Sequence, residues 1–135
     1  MPTPPPRRLP ALPRDAVAAA VLALATLVAT WPWVLAPPTA TTQADAAFTA
    51  NNLNHVQRWL TGAVDNLWQA RLGAPLQDTL TTADWMLGEA VLGLPLHGLG
   101  VHPLQVHDSL TVLGLFLTAF ACHKLCEVVV GPGWP

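Results

Sequence analysis

Four of the five histidines lie in the second half of the chain, and they are the residues best suited to bind a metal or a cofactor. The segment "HGLGVHPLQVH" places His97, His102 and His107 at five-residue intervals. Imidazole nitrogens are ligands for zinc, copper, haem iron and the magnesium of chlorophylls. On a helix, five residues turn each side chain by about 140° from the last, so only a loop could gather these three. One hypothesis is therefore a loop-borne metal site, and the favoured alternative is that these histidines cap helices or form hydrogen bonds at an interface.

His123 lies four residues after Ala119 in an apolar segment. A membrane histidine with a small residue four positions before it resembles the pigment-ligating pattern of bacterial light-harvesting polypeptides. His107 upstream and Trp134 downstream follow the general order of those antennae, although the intervals differ and the long middle region has no antenna counterpart. The resemblance implies that His123 is a ligand of chlorophyll magnesium. The alternative is a histidine at a helix end that pairs with Glu127, four residues on.

The sequence contains no arrangement of residues that is well suited to catalysis. His107, Asp108 and the single serine, Ser109, are consecutive, so their side chains diverge and cannot form a nucleophile–base relay. Cys122 and His123 are adjacent, which separates them by about 100° around a helix. The sequence contains no glycine-rich phosphate loop and no His-Glu-x-x-His motif. We therefore predict a protein that is not an enzyme, and we expect no cofactor unless a metal or chlorophyll-type pigment binds the histidines.

The composition favours contact with lipid. Hydrophobic residues make up 52% of the 135 residues and charged residues only 10%, against about 25% charged in soluble domains. The net charge is −2, and the one basic cluster comprises Arg7, Arg8 and Arg14, so nucleic acid is excluded as a partner. Cys122 and Cys126 are too few for a disulfide scaffold and are interpreted as free thiols. The sequence predicts an all-α integral membrane protein.

The first membrane segment is predicted at residues 15–36, after a Pro- and Arg-rich N-terminus at residues 1–14. An uncharged stretch from Ala16 to Ala36 would reach about 31 Å as a helix, close to the hydrocarbon thickness. Trp31 and Trp33 are typical of the interface that closes a span, and the three N-terminal arginines place this end on the cytoplasmic side. The alternative is a signal peptide that is removed from an exported helical protein.

Residues 37–103 are expected to form an extramembrane or interfacial helical region. The 3–4 spacing of apolar residues predicts an amphipathic helix over Ala44–Leu72, weakened at Gly62 and ended by Gly73 and Pro75. This helix packs within the chain or lies on the membrane or a partner. A shorter helix is predicted over Thr82–Leu92, capped by a threonine. Glycines and prolines in Gly93–Pro103 predict an apolar, packed loop. Four tryptophans are expected to act as anchors here and at the chain end: Trp59, Trp68, Trp85 and Trp134.

A second membrane helix is predicted at residues 104–130, followed by a C-terminal tail at residues 131–135. Pro103 is suited to the first position of a helix. The uncharged stretch Ser109–Cys122 is too short to span alone, so the span must include Lys124 and Glu127, which can pair with each other across three residues. Both termini would then lie in the cytoplasm.

Small residues recur at four-residue intervals in both predicted spans, and small residues allow close approach between membrane helices. The row in the first span comprises Val17, Val21, Ala25 and Ala29, and the row in the second span comprises Gly114, Thr118, Cys122 and Cys126. These rows predict docking faces for other membrane subunits. The function predicted from the sequence is therefore that of an accessory, structural subunit of a larger membrane complex in the bacterial inner membrane, with an energy-converting complex favoured. A pigment- or metal-binding membrane polypeptide is the main alternative.

Overall fold

The computed structural model of the chain describes residues 13–34, 44–70, 77–82 and 86–131. These residues form four α-helices and one short 3-10 helix, with no strand in the described ranges. The all-α prediction is confirmed. In chain order the helices are α1 (Arg14–Val34), α2 (Ala44–Leu60), a 3-10 helix (Thr79–Thr82), α3 (Leu87–Gly98) and α4 (Pro103–Val130).

Helices α1 and α4 pack against each other as an antiparallel pair, called here the helix pair. Near the start of α1, Asp15 bonds Lys124, which lies close to the end of α4. A parallel arrangement would leave the rest of α1 beyond the end of α4. Instead, residues are shielded along the length of both helices: in α1 Ala18, Ala19, Leu22, Ala23, Thr26 and Thr30, and in α4 Val112, Phe116, Ala119, Phe120, His123 and Glu127.

Both helices of the pair are long and apolar enough to cross a membrane, over Arg14–Trp31 and Pro103–Val130. Helix α4 begins where the sequence predicts, because Pro103 occupies its first turn and the ring of His102 accepts a hydrogen bond from the Leu104 N–H at 3.3 Å. It ends at Gly131, whose φ of 95° an L side chain rarely adopts. The prediction of two membrane-competent helices is therefore confirmed at the level of length and composition.

Helix α2 ends at Leu60, twelve residues before the end predicted at Leu72. Gly62 has a φ of 74°, and its N–H donates to the carbonyl of Trp59 while the Ala63 N–H donates to Arg58. This pair of bonds is the Schellman motif that stops helices at a left-handed glycine. The sequence marks Gly62 as a weak point, and the structure makes it the terminator. Gly73 and Pro75, the predicted terminators, lie outside the described residues.

Helix α3 covers Leu87–Gly98, so it begins and ends later than the helix predicted over Thr82–Leu92, and the prediction of a loop from Gly93 is wrong as far as Gly98. The helix runs through Gly93 and through Pro95, which removes one intrahelical hydrogen bond. A second Schellman motif ends it, with Gly100 at φ 75° and the Val101 N–H donating to Leu96. The remaining loop is therefore only Leu99–His102.

The predicted threonine cap of the shorter helix is also absent. Thr81 and Thr82 lie in the 3-10 helix, where the Thr81 hydroxyl donates to the Asp78 carbonyl at 2.7 Å. Helix α3 begins after Met86, which has a left-handed φ of 46° and provides no side-chain cap. The threonine hydroxyl that could cap a helix therefore bonds within the 3-10 turn instead.

A small core lies where α2, α3 and the first turns of α4 meet. Its members are almost fully shielded from solvent and come from each of these elements and from the segments between them: Leu53, Val56, Leu67, Ala70, Leu80, Ala90 and Val106. Trp59 and Leu110 pack against its edge. The apolar face of α2 therefore packs within the chain, which decides between the two interpretations of that amphipathic helix.

Gly93 sits at the closest approach of the three helices. A Cβ at this position would lie 2.5 Å from Gln57 Nε2 and 2.9 Å from Val106 Cγ1. The buried Gln57 amide donates to the carbonyl of Ala90 at 3.3 Å, so a polar bond crosses between α2 and α3 beside Gly93. Only glycine leaves room for Gln57 and Val106 at this position, which explains why α3 contains a residue that usually weakens a helix.

Candidate functional site

Four ionisable side chains meet at one end of the helix pair and are called here the charge cluster: Asp15, His123, Lys124 and Glu127. The Lys124 ammonium donates to Asp15 Oδ1 at 3.1 Å and Oδ2 at 3.2 Å, and it also bonds Glu127. His123 Nε2 lies 3.6 Å from Glu127 Oε1. The cluster therefore links α1 to α4 through a lysine that is shared by two carboxylates.

The sequence accounts for part of this cluster. Pairing of Glu127 with His123 and Lys124 is predicted from their spacing of four and three residues, and both pairs are present. Asp15 is the member that sequence reasoning missed, because it is 109 residues from Lys124. A signal existed, since Asp15 is the acid at the start of one apolar segment and Lys124 is the base near the end of the other. An antiparallel pairing of those segments would bring them together.

His123, predicted as a pigment ligand, is three-quarters shielded at the contact between the helices. The Phe120 ring lies 6.3 Å from its ring, centroid to centroid. Its Nε2 atom faces the Glu127 carboxylate, as the alternative interpretation of this residue predicts. A pigment magnesium would compete with Glu127 for the same nitrogen, so pigment binding stays a prediction.

The three histidines of the predicted loop site each have a separate local setting. His97 lies half-buried in the last turn of α3, the His102 ring caps α4, and His107 Nδ1 lies 3.3 Å from Asp108 Oδ1. Within the described residues, ligand atoms close enough to hold one ion occur in a different group, formed by Asp15, His123 and Glu127. A joint metal site of His97, His102 and His107 stays a prediction.

The triplet at residues 107–109 does not form a catalytic relay. His107 bonds its neighbour Asp108, whereas the Ser109 hydroxyl donates to the Gln105 carbonyl at 2.7 Å. Cys122 and Cys126 are exposed free thiols on α4. Consecutive residues on a helix point in different directions, and these contacts follow from that geometry.

Both small-residue rows lie outside the contact between α1 and α4. Every member is exposed, so the helix pair uses other faces to hold itself together. The Thr118 hydroxyl donates to the Gly114 carbonyl of the same helix at 2.8 Å. The rows are therefore accessible from outside the chain.

The predicted tryptophan anchors occupy different environments. Trp31 is exposed near the end of α1, and Trp68 is also exposed, but Trp59 packs against the core. Trp33 belongs to α1, with its side chain outside the described part of the chain, and Trp85 and Trp134 lie outside it entirely. Among these, Trp31 has the position expected of an interfacial anchor.

A polar groove of about 530 Å³ lies beside α2. His55 holds its wall together, with Nε2 placed 3.2 Å from the Asn66 carbonyl and 3.0 Å from the Leu67 carbonyl. The groove carries one cation and one anion, Arg58 and Asp65, among several amide side chains. Its polar lining distinguishes this side of the molecule from the apolar helix pair.

No protein-family model, curated protein or solved structure matches this chain.

Proposed function

We propose that the protein is a non-catalytic accessory subunit of a larger membrane protein complex, held in the bilayer by α1 and α4. In this proposal α2 and α3 form a small extramembrane unit on one side. The bacterial inner membrane, with both termini in the cytoplasm, is the location that we infer from the arginines at the N-terminus. An energy-converting complex is the host that we favour.

The observation that carries the proposal is the outer surface of the helix pair. Large apolar side chains on it are exposed, including Leu24 at 64%, Val28 at 68% and Leu125 at 62%. A continuous apolar surface of this kind is unfavourable in water and is normal against lipid or another membrane helix.

The hydrogen bonding of the helix pair also suits an apolar medium. The hydroxyl of Thr26 donates to the Leu22 carbonyl and that of Thr30 to the Thr26 carbonyl, both at 2.8 Å. These bonds satisfy the hydroxyls within their own helix, as is required where water is absent. The two helices therefore carry few polar groups that would need hydration between their ends.

The lengths of the two helices agree with a bilayer. Helix α1 has 21 residues and would extend about 31 Å at about 1.5 Å per residue. Helix α4 has 28 residues, but its first turns belong to the core through Val106 and Leu110. The part beyond Leu110, residues 111–130, is about 30 Å long, which is the thickness of the hydrocarbon region.

The accessory role is supported by the exposed small-residue rows. Two helices alone cannot cover both the α1 row and the α4 row, and backbones approach closely where such residues face another helix. We infer that helices of neighbouring subunits pack on these rows. Among the described residues the core cluster has seven buried members, and a core of that size gives limited stability on its own.

Membrane attachment is tested by fractionation of cells that express the full chain with a C-terminal tag. We expect the protein to remain in the membrane after an alkaline carbonate wash and to need detergent for release. Recovery from the aqueous fraction of a chain that begins after residue 40 would contradict the proposal and favour export with a cleaved signal.

The accessory role is tested by isolation in mild detergent with identification of co-purifying subunits. We expect the variants Ala25→Leu and Gly114→Leu, which enlarge the two rows, to reduce recovery of the partners. Val28→Leu and Leu115→Ile change other exposed positions, outside the rows, and should preserve recovery of the partners. A monomer without partners, or equal recovery with all four variants, would overturn the role in a complex.

A further inference from the structure

The charge cluster contains three side chains that commonly bind metal ions, contributed by two different helices. One ligand atom from each of Asp15, His123 and Glu127 lies within 4.8 Å of the others. The set combines one imidazole nitrogen with two carboxylate oxygens, a donor combination that suits zinc. Nothing in the proposed accessory role requires this arrangement.

We propose that Asp15, His123 and Glu127 form a zinc site that joins the start of α1 to the end of α4. His123 and Glu127 lie four residues apart on one face of α4 and form its fixed half. Asp15 completes the set from α1, so binding depends on the helices being paired. A water molecule would take the fourth position of a tetrahedral ion.

Only small movements are needed to bring the three ligand atoms to the separations of a zinc site. Zinc bonds to nitrogen and oxygen are about 2.0 Å long, so two ligand atoms of a tetrahedral site are about 3.3 Å apart. His123 Nε2 and Glu127 Oε1 are already 3.6 Å apart. The remaining separations, up to 4.8 Å, can close through rotation of the Asp15 and Glu127 side chains, which are partly exposed.

Lys124 marks the place where a cation is held. Its ammonium contacts three carboxylate oxygens of Asp15 and Glu127. With neutral His123, the lysine leaves the cluster with a net charge of −1, whereas zinc would bring the two carboxylates to zero. Lys124 is 43% exposed and has a long flexible stem, so it can withdraw to the headgroup region when zinc enters.

Zinc binding by the full chain in detergent provides the test. The protein, stripped with a chelator, is titrated with Zn²⁺ alone in competition with a chromogenic indicator, in a Cys122→Ser and Cys126→Ser background that removes the exposed thiols. We expect one Zn²⁺ per chain. His123→Ala and Asp15→Asn should each weaken binding by at least about tenfold, because even loss of groups that only support a metal ligand has an effect of that size.

The Lys124→Met variant separates a metal site from a simple ion-pair network. If zinc and the ammonium compete for the same carboxylates, removal of the ammonium strengthens zinc binding several-fold. His107→Ala, on the same helix but remote from the cluster, should leave binding unchanged. Circular dichroism of each variant checks that the helices persist. Absence of stoichiometric zinc, insensitivity to Asp15→Asn, or weaker binding by Lys124→Met would each overturn the proposal.

Discussion

The core region, where α2, α3 and the first turns of α4 meet, and the helix pair contain similar apolar side chains but differ in how far those side chains are exposed. Leu53 in α2 is 1% exposed, whereas Leu24 in α1 is 64% exposed. In the core region, three elements converge and shield one another's leucines from solvent. In the helix pair, only one face of each helix is covered. Burial within the chain therefore stabilises the first region, whereas the outer apolar side chains of the second gain no such stabilisation from the described part of the chain.

The largest expected effect comes from removal of core volume. Leu53→Ala should lower the free energy of unfolding by about 2–5 kcal/mol, because the buried side chain leaves a cavity. The same change at exposed Leu24 should alter it by less than about 0.5 kcal/mol. Denaturant unfolding in detergent, followed by the fluorescence of tryptophans such as Trp59 at the edge of the core, compares the two. Equal losses would show that the regions are stabilised in the same way.

The medium around the helix pair is tested by a charge at the middle of α1. Leu24→Arg should make membrane insertion less favourable by about 2.5–3.5 kcal/mol, the cost of arginine at the centre of a membrane helix. Phe48→Arg, at an exposed position of α2, should have little effect. A glycosylation assay for insertion of the full chain measures both. Efficient insertion of the Leu24→Arg chain would contradict lipid contact at this position.

The difference between the regions also explains how far the sequence could predict the fold. The apolar segments of α1 and α4 depend on composition and length, which are local properties, and both are recognised. Pro103 and Gly62 are correctly identified as points where helices begin or weaken. The start of α3 and its passage through Gly93 and Pro95 could not be predicted, because tertiary contact with Gln57 and Val106 overrides local propensity there.

The charge cluster shows the same limit at the level of a site. Contacts between Glu127 and its neighbours on α4 follow from helical spacing alone. The contribution of Asp15 depends on how two distant helices pair, which no spacing within either helix specifies. The exposure of the small-residue rows likewise depends on that pairing, since either face of α1 could have met α4.

Gly93 tests whether close packing is confined to the core region. Gly93→Ala should destabilise the protein by about 1–3 kcal/mol, because the new Cβ overpacks the contact with Gln57 and Val106. At Gly114 a Cβ meets nothing within 4 Å, so Gly114→Ala should be neutral or stabilise α4 by up to about 1 kcal/mol. The thermal midpoints of both variants provide the comparison. A lower thermal midpoint for Gly114→Ala in the isolated protein would indicate a tight contact at Gly114 and contradict this comparison.

The smallest expected effect is the coupling between Asp15 and Lys124 across the helix pair. Both side chains are substantially exposed, so a double-mutant cycle with Asp15→Asn and Lys124→Gln should give a coupling smaller than the losses expected for Leu53→Ala and Gly93→Ala. If water and counter-ions reach this end of the pair, the coupling should vanish at about 1 M salt, where the screening length is about 3 Å. A large coupling that persists at that salt concentration would mean that lipid covers the charge cluster, because screening requires mobile ions. The salt dependence therefore shows whether the apolar region ends before Lys124 or continues past it. Val128 and Val129, which follow Lys124 on α4, are exposed and apolar.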